Sequence, residues 1–80
     1  MYRLKYDPAA EAVHESMPTA ASEALTLALA AACHDPLAAT QPYGEDDGIM
    51  RMIVTEQAFA VLLAGHQTRI LTVLQITYLE

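Results

Sequence analysis

The sequence predicts an α+β fold, a helical hairpin packed on one face of an antiparallel sheet. Three observations predict it. The opening stretch Tyr2–Tyr6 alternates with period two. Two alanine-rich segments with helix-type starts and stops follow it. Three apolar segments rich in branched residues, separated by short turn-forming breaks, close the chain. Strand, helix, helix, strand, strand, strand is an order that segregates helices from sheet, and 80 residues make one domain spanning 1–80.

Each element follows from local chemistry. In the first strand Tyr2, Leu4 and Tyr6 fall on one side, with Arg3 and Lys5 on the other. Asp7-Pro8 supplies an N-cap and a proline at the first helical position, and residues 8–17 continue as a short helix that Pro18 breaks. Residues 19–34 are strong helix formers, with Thr19 as the expected N-cap. Ala21, Leu25, Ala28, Leu29 and Ala32 fall on one stripe and Leu27 sits off it. Asp35-Pro36 stops this helix. Residues 36–48, with Pro36, Pro42, Gly44, Gly48 and the acids Glu45, Asp46 and Asp47, read as a loop. Residues 49–55, 58–64 and 69–79 then form a three-stranded antiparallel meander. Glu56-Gln57 and Gly65-His66-Gln67 are its turns.

Composition narrows the function classes. Four Lys and Arg against ten Asp and Glu give a formal net charge of −6. Nucleic-acid affinity comes largely from cations neutralising phosphates, so the balance argues against autonomous RNA or DNA binding and against an anionic membrane. It favours a neutral or basic protein partner. The single cysteine, Cys33, cannot form an internal disulfide and fits a reducing compartment. No Cys and His spacing suits zinc. The longest apolar run, 24–33, falls short of the roughly 20 residues a membrane span needs, and the start is too polar for a secretion signal, so a cytoplasmic protein is expected. An alanine-rich core buries little area per residue, which points to a partner or a homodimer.

The candidate chemical groups each have a plainer reading. Arg51 could bind phosphate, pair with Glu45, Asp46 or Asp47 at a strand edge, or grip a partner's carboxylate bidentately. Glu45-Asp46-Asp47 could attract a hard cation, but it lacks calcium-loop spacing and reads as a solvated loop. Cys33-His34-Asp35 resembles a triad only as text, because consecutive helical side chains diverge by about 100°. Glu11, His14 and Glu15 share a helix face without a third ligand type. His66 reads as a solvated turn residue. Tyr2, Tyr6, Tyr43, Phe59 and Tyr78 lack interleaved bases and read as core or interface rather than as base-stacking groups. No cofactor or metal is expected.

The segments "YRLKYDPAAEAV", "MP" between the helices, "HDPLAAT", "GIMRMIV", "FAVLL" and "ILTVLQI" occur in the order and spacing of the RelE/ParE toxins of bacterial type II toxin–antitoxin systems. The chain resembles that family over nearly its whole length. The resemblance implies a β-α-α-β-β-β fold and a toxin component held by a cognate antitoxin. In the nuclease branch it also implies translation inhibition by ribosome-dependent messenger RNA cleavage. Carried over position by position, the first strand base matches Arg51, and Tyr78 is the remaining catalytic side chain near the C-terminus. The other expected bases fall on Ile53 and Ala60, and the tyrosine closing the next motif falls on Leu63. Cleavage by 2′-hydroxyl attack needs phosphate charge stabilisation and proton transfer. These departures therefore keep a second reading open, a catalytically inactive binding or regulatory protein on the same fold, acting as a dimer or complex subunit.

Overall fold

A computed structural model describes residues 1–79. Strand β1 (Arg3–Tyr6) leads into helices α1 (Pro8–Ser16), α2 (Thr19–His34) and the single turn α3 (Pro36–Ala39). Strands β2 (Gln41–Pro42), β3 (Met50–Val54), β4 (Ala58–Gly65) and β5 (Ile70–Tyr78) complete one five-stranded sheet in the order β1-β5-β4-β3-β2.

The helix starts obey local chemistry. The Asp7 carboxylate accepts from the Ala9 N–H at 3.0 Å, and Pro8 occupies a position that needs no hydrogen-bond donor. Thr19, expected as the second cap, is instead the first helical residue. The cap is Pro18, whose extended backbone turns the chain and whose carbonyl accepts from Ser22 N–H at 2.9 Å, without a side-chain bond. Proline's fixed φ decides this junction ahead of the threonine hydroxyl.

Two further expectations are corrected. Residues 36–48 are not a plain loop. The Asp35 side chain accepts from Ala38 N–H at 3.2 Å and starts α3, and Gln41 and Pro42 then pair with Met52 and Arg51. The sheet is also mixed rather than antiparallel, because β1 pairs parallel to β5, with Arg3 opposite Ile70 and Tyr6 opposite Val73. Only strands joined by tight turns are forced to be antiparallel. β1 is separated from β5 by the rest of the chain. The meander β3–β4–β5 is as expected, with Ile53 opposite Ala60 and Leu62 opposite Val73.

One sheet face is covered. Ala58, Ala60, Leu62 and Ala64 of β4, Leu71, Val73 and Ile76 of β5, and Ile53 of β3 form one buried cluster with Ala10, Met17, Ala21, Leu25, Leu29, Ala32 and Cys33. Alternation along β4 puts alanines at three of the four helix-facing positions. Small residues there admit the helices closely, and Leu25 and Leu29 fill the space above them. A register shift between Val61 and Leu62 leaves Leu74 as the extra residue on β5. The shift keeps Ile76 and Tyr78 on the covered side along with Leu71 and Val73. Replacing fully buried Leu25 with Ala should cost about 2–5 kcal/mol, read as a lowered urea midpoint with unchanged slope.

Candidate functional site

Arg51 is the centre of the strongest polar cluster. It lies on the covered side of β3, opposite Leu62, and is 4% exposed. A buried guanidinium must find acceptors, and this one does. Its Nε donates to Thr40 Oγ1 at 2.8 Å, and its Nη2 donates to the carbonyls of Thr40 at 3.0 Å and Leu37 at 3.4 Å. Its Nη1 pairs with Asp46 at 3.2 Å, while the Asp46 side chain remains 77% exposed. Thr40 Oγ1 in turn donates to the Pro36 carbonyl. Of the readings the sequence left open, the geometry is that of pairing with Asp46, and the guanidinium ties the whole 36–46 connection to the sheet.

Tyr78 sits opposite Ala58 on the same covered side, half-buried against the core. Ala58 and Leu62 are four residues apart on β4, so Tyr78 and Arg51 stand roughly 13 Å apart along the strand direction. The structure does not bring them together. Ile53 and Ala60, where further bases were expected, point into the core at 4% and 0% exposure. A cation at either position would be buried.

The opposite sheet face has no helix over it. Alternation places Met50, Met52 and Val54 of β3 and Phe59, Val61 and Leu63 of β4 there. Val54 and Leu63 are exposed, and Tyr43 packs its ring 6.1 Å from that of Phe59. None of these positions carries a base. Arg3 and Lys5 flank the face from β1, opposite Ile70 and Thr72.

Two histidines do structural work that no local pattern announced. His14 bridges α1 to α2 and β1. The Ser22 carbonyl, 3.3 Å from Nε2, can only accept, so Nε2 donates to it; Nδ1 is hydrogen-bonded to the Tyr6 hydroxyl at 3.0 Å. Glu11 and Glu15 line the same shallow cleft of about 250 Å³. His66 is the exposed turn residue expected, and it also links three segments. By the same logic Nε2 donates to the Gly48 carbonyl at 2.5 Å, and Nδ1 is hydrogen-bonded to the Tyr2 hydroxyl at 2.6 Å. Arg69, in the left-handed region at φ 58, lays its guanidinium 5.6 Å from the Tyr2 ring centre. Tyr2 and His66 are 64 residues apart, and only their aromatic and imidazole character hinted at the pairing.

The remaining candidates separate. Asp35 caps α3, while Cys33 is buried under the sheet, so the Cys33-His34-Asp35 run is not assembled. Burial pushes the Cys33 thiol above its ordinary pKa, against a smaller opposing pull from the N-terminal amine. Asp47 accepts from the N–H groups of Ile49 and Met50, which hold its carboxyl below the usual range. Gly44 and Gly48, both at positive φ, bracket this acidic turn.

No family model matches the sequence, and no curated protein does. Solved structures match the whole fold. A chain of the intact E. coli RelBE toxin–antitoxin complex superposes with a TM-score of 0.83 at 18% identity, covering 100% of this chain and 99% of that one. The isolated E. coli RelE toxin gives 0.84 at 18% identity, covering 100% and 86%. The RelBE2 toxin–antitoxin complex of Mycobacterium tuberculosis gives 0.80 at 12% identity, covering 96% of each chain. The chain therefore has the RelE toxin fold, in agreement with the resemblance its motifs suggested.

Arg51→Ala should lower stability by about 3 kcal/mol, because it leaves the Thr40 and Leu37 carbonyls without their donor. Asp46→Asn should cost under about 1 kcal/mol, as an exposed partner does. Denaturant melts of the two variants check the difference. Native Cys33 should react with iodoacetamide at least roughly tenfold more slowly than the unfolded chain at the same pH, as followed by mass spectrometry.

Proposed function

We propose that this chain is the toxin-type component of a toxin–antitoxin pair, and that it works through protein contact made by its uncovered sheet face. The observation that carries the reading is that face itself. Met50, Met52, Val54, Phe59 and Leu63 line it, with no helix above them and no base among them. A partly exposed apolar sheet face, with Val54 and Leu63 open and Val61 buried among them, suits a protein segment. It does not suit phosphate, whose binding rests on Lys and Arg. Solved RelE-fold neighbours occur in complexes with an antitoxin, which supports a partner of that kind here.

RNA cleavage is the less supported branch of this reading. Arg51 spends its donors on Thr40, Leu37 and Asp46, and Tyr78 lies on the covered side at a distance from it. A second reading, an inactive binding protein on the same fold, is favoured by this same internal use of Arg51. Inducible expression with and without the adjacent gene separates the two. Growth arrest that the neighbour relieves, with messenger RNA intact, is the expected outcome. Harmless expression of the folded chain would exclude a toxin and leave the binding protein. Ribosome-dependent RNA fragments would restore the nuclease branch.

A further inference from the structure

The first strand is an open edge. Arg3 and Asp7 donate their N–H groups to the carbonyls of Arg69 and Val73, each at 2.8 Å. Alternation therefore turns the main-chain groups of Leu4 and Tyr6 the other way, out of the sheet. No backbone group among the described residues bonds to them. Tyr2 shares their direction, and its N–H donates to the Cys33 carbonyl at 2.8 Å, so the open stretch ends there. Pro8 closes it at the other end by starting α1. The opposite edge of the sheet is a poorer template: β2 is two residues long, and one of them, Pro42, has no N–H.

The positive charge of the chain is gathered on this edge. Four Lys and Arg stand against ten Asp and Glu, and one of the four, Arg51, is buried and paired with Asp46. The other three meet at one corner. Arg3 and Lys5 lie on the same side of β1, both exposed, and the Arg69 carbonyl is bonded to the Arg3 backbone. Arg51–Asp46 is the single ion pair among the described residues, so these three cations have no carboxylate partner there. Arg3, Leu4, Lys5 and Ile70 line a shallow cleft of about 270 Å³. Leu4 is 36% exposed, on the other side of the strand from the two bases.

We propose that β1 takes an added strand, an extended acidic segment of a partner protein. A strand laid antiparallel along this edge bonds its N–H and C=O groups to those of Leu4 and Tyr6. Its residues opposite Arg3 and Lys5 point to the same face as they do, with Cβ atoms about 5 Å away. Carboxylates two residues apart fit those positions, and an apolar residue between them meets Leu4. Charge makes the choice of occupant. A second copy that pairs β1 with β1 about Leu4 sets Arg3 opposite Lys5 twice, and like charges directly opposite are destabilising. The two bases thus reject self-pairing and admit an acidic strand. The net charge of −6 is screened beyond about 8 Å at physiological salt, whereas these contacts are direct. The proposal goes beyond the reading of the uncovered face, because it concerns the sheet edge. Its test reads backbone amides rather than toxicity, so either can fail without the other.

The probe is the peptide acetyl-Val-Glu-Val-Glu-Thr-amide, titrated into the isotope-labelled chain at low salt and followed by amide NMR. Saturable shifts centred on the Leu4 and Tyr6 amides are expected, with slowed hydrogen exchange at both. The same peptide N-methylated at its central valine loses a backbone donor and should bind at least roughly tenfold more weakly. So should acetyl-Val-Lys-Val-Lys-Thr-amide, which sets like charges opposite. R3E/K5E, shown to be folded by circular dichroism, should exchange the two preferences and take the lysine peptide over the glutamate one. The absence of saturable shifts up to roughly 5 mM glutamate peptide overturns the inference. Equal binding of the glutamate and lysine peptides to the native chain overturns it as well. A short single-stranded RNA that moves these amides where the glutamate peptide does not would also overturn it, in favour of a phosphate ligand.

Discussion

The buried guanidinium of Arg51 is the constraint on which much else depends. A cation this far from water is tolerable only with its donors satisfied. Thr40 and Leu37 satisfy them from the connection that precedes β3, and Asp46 adds the countercharge. That requirement turns a stretch rich in proline, glycine and acid into a defined helical turn, a short strand and a clamped acidic bend. It also removes from circulation the one base on the central strands. The residue that most resembled a catalytic group is the residue the fold can least spare.

The second constraint is one-sidedness. Helices α1 and α2 cover the face made by Ala58, Ala60, Leu62, Leu71 and Val73, and small side chains there let Leu25 and Leu29 reach the sheet backbone. Among the described residues no helix covers the other side, where Val54 and Leu63 are exposed, Met50, Met52 and Phe59 are partly buried and Val61 is buried. A partly exposed apolar face of this kind suits association with another protein surface.

Histidine plays a joining role in both remote corners of the fold. His14 ties two helices to the first strand through Ser22 and Tyr6. His66 ties the first strand, the β4–β5 turn and the bend at Gly48 together. Each ring uses both nitrogens at once, one donating to a carbonyl and one bonded to a tyrosine hydroxyl. A small core gains cross-links in this way without a disulfide.

Much of the fold was legible in residue order alone. Period-two alternation marked Tyr2–Tyr6, branched apolar runs between turn-forming breaks marked the three closing strands, Asp7-Pro8 and Asp35-Pro36 marked helix boundaries, and the motif order pointed to the RelE fold that the solved structures share. These signals are local, since periodicity, capping and proline sterics act within a few residues. What the sequence could not decide was anything set by contacts between distant segments. The parallel pairing of β1 with β5 depends on the whole intervening chain. The short helix and strand within 36–48 depend on Arg51 reaching back to Thr40. The side of the sheet on which Ile53 and Ala60 fall depends on where α1 and α2 dock. A strand's alternation separates two faces but does not say which one is covered, so only the tertiary structure shows that Arg51, Ile53 and Ala60 point inward while Leu63 lies on the free face.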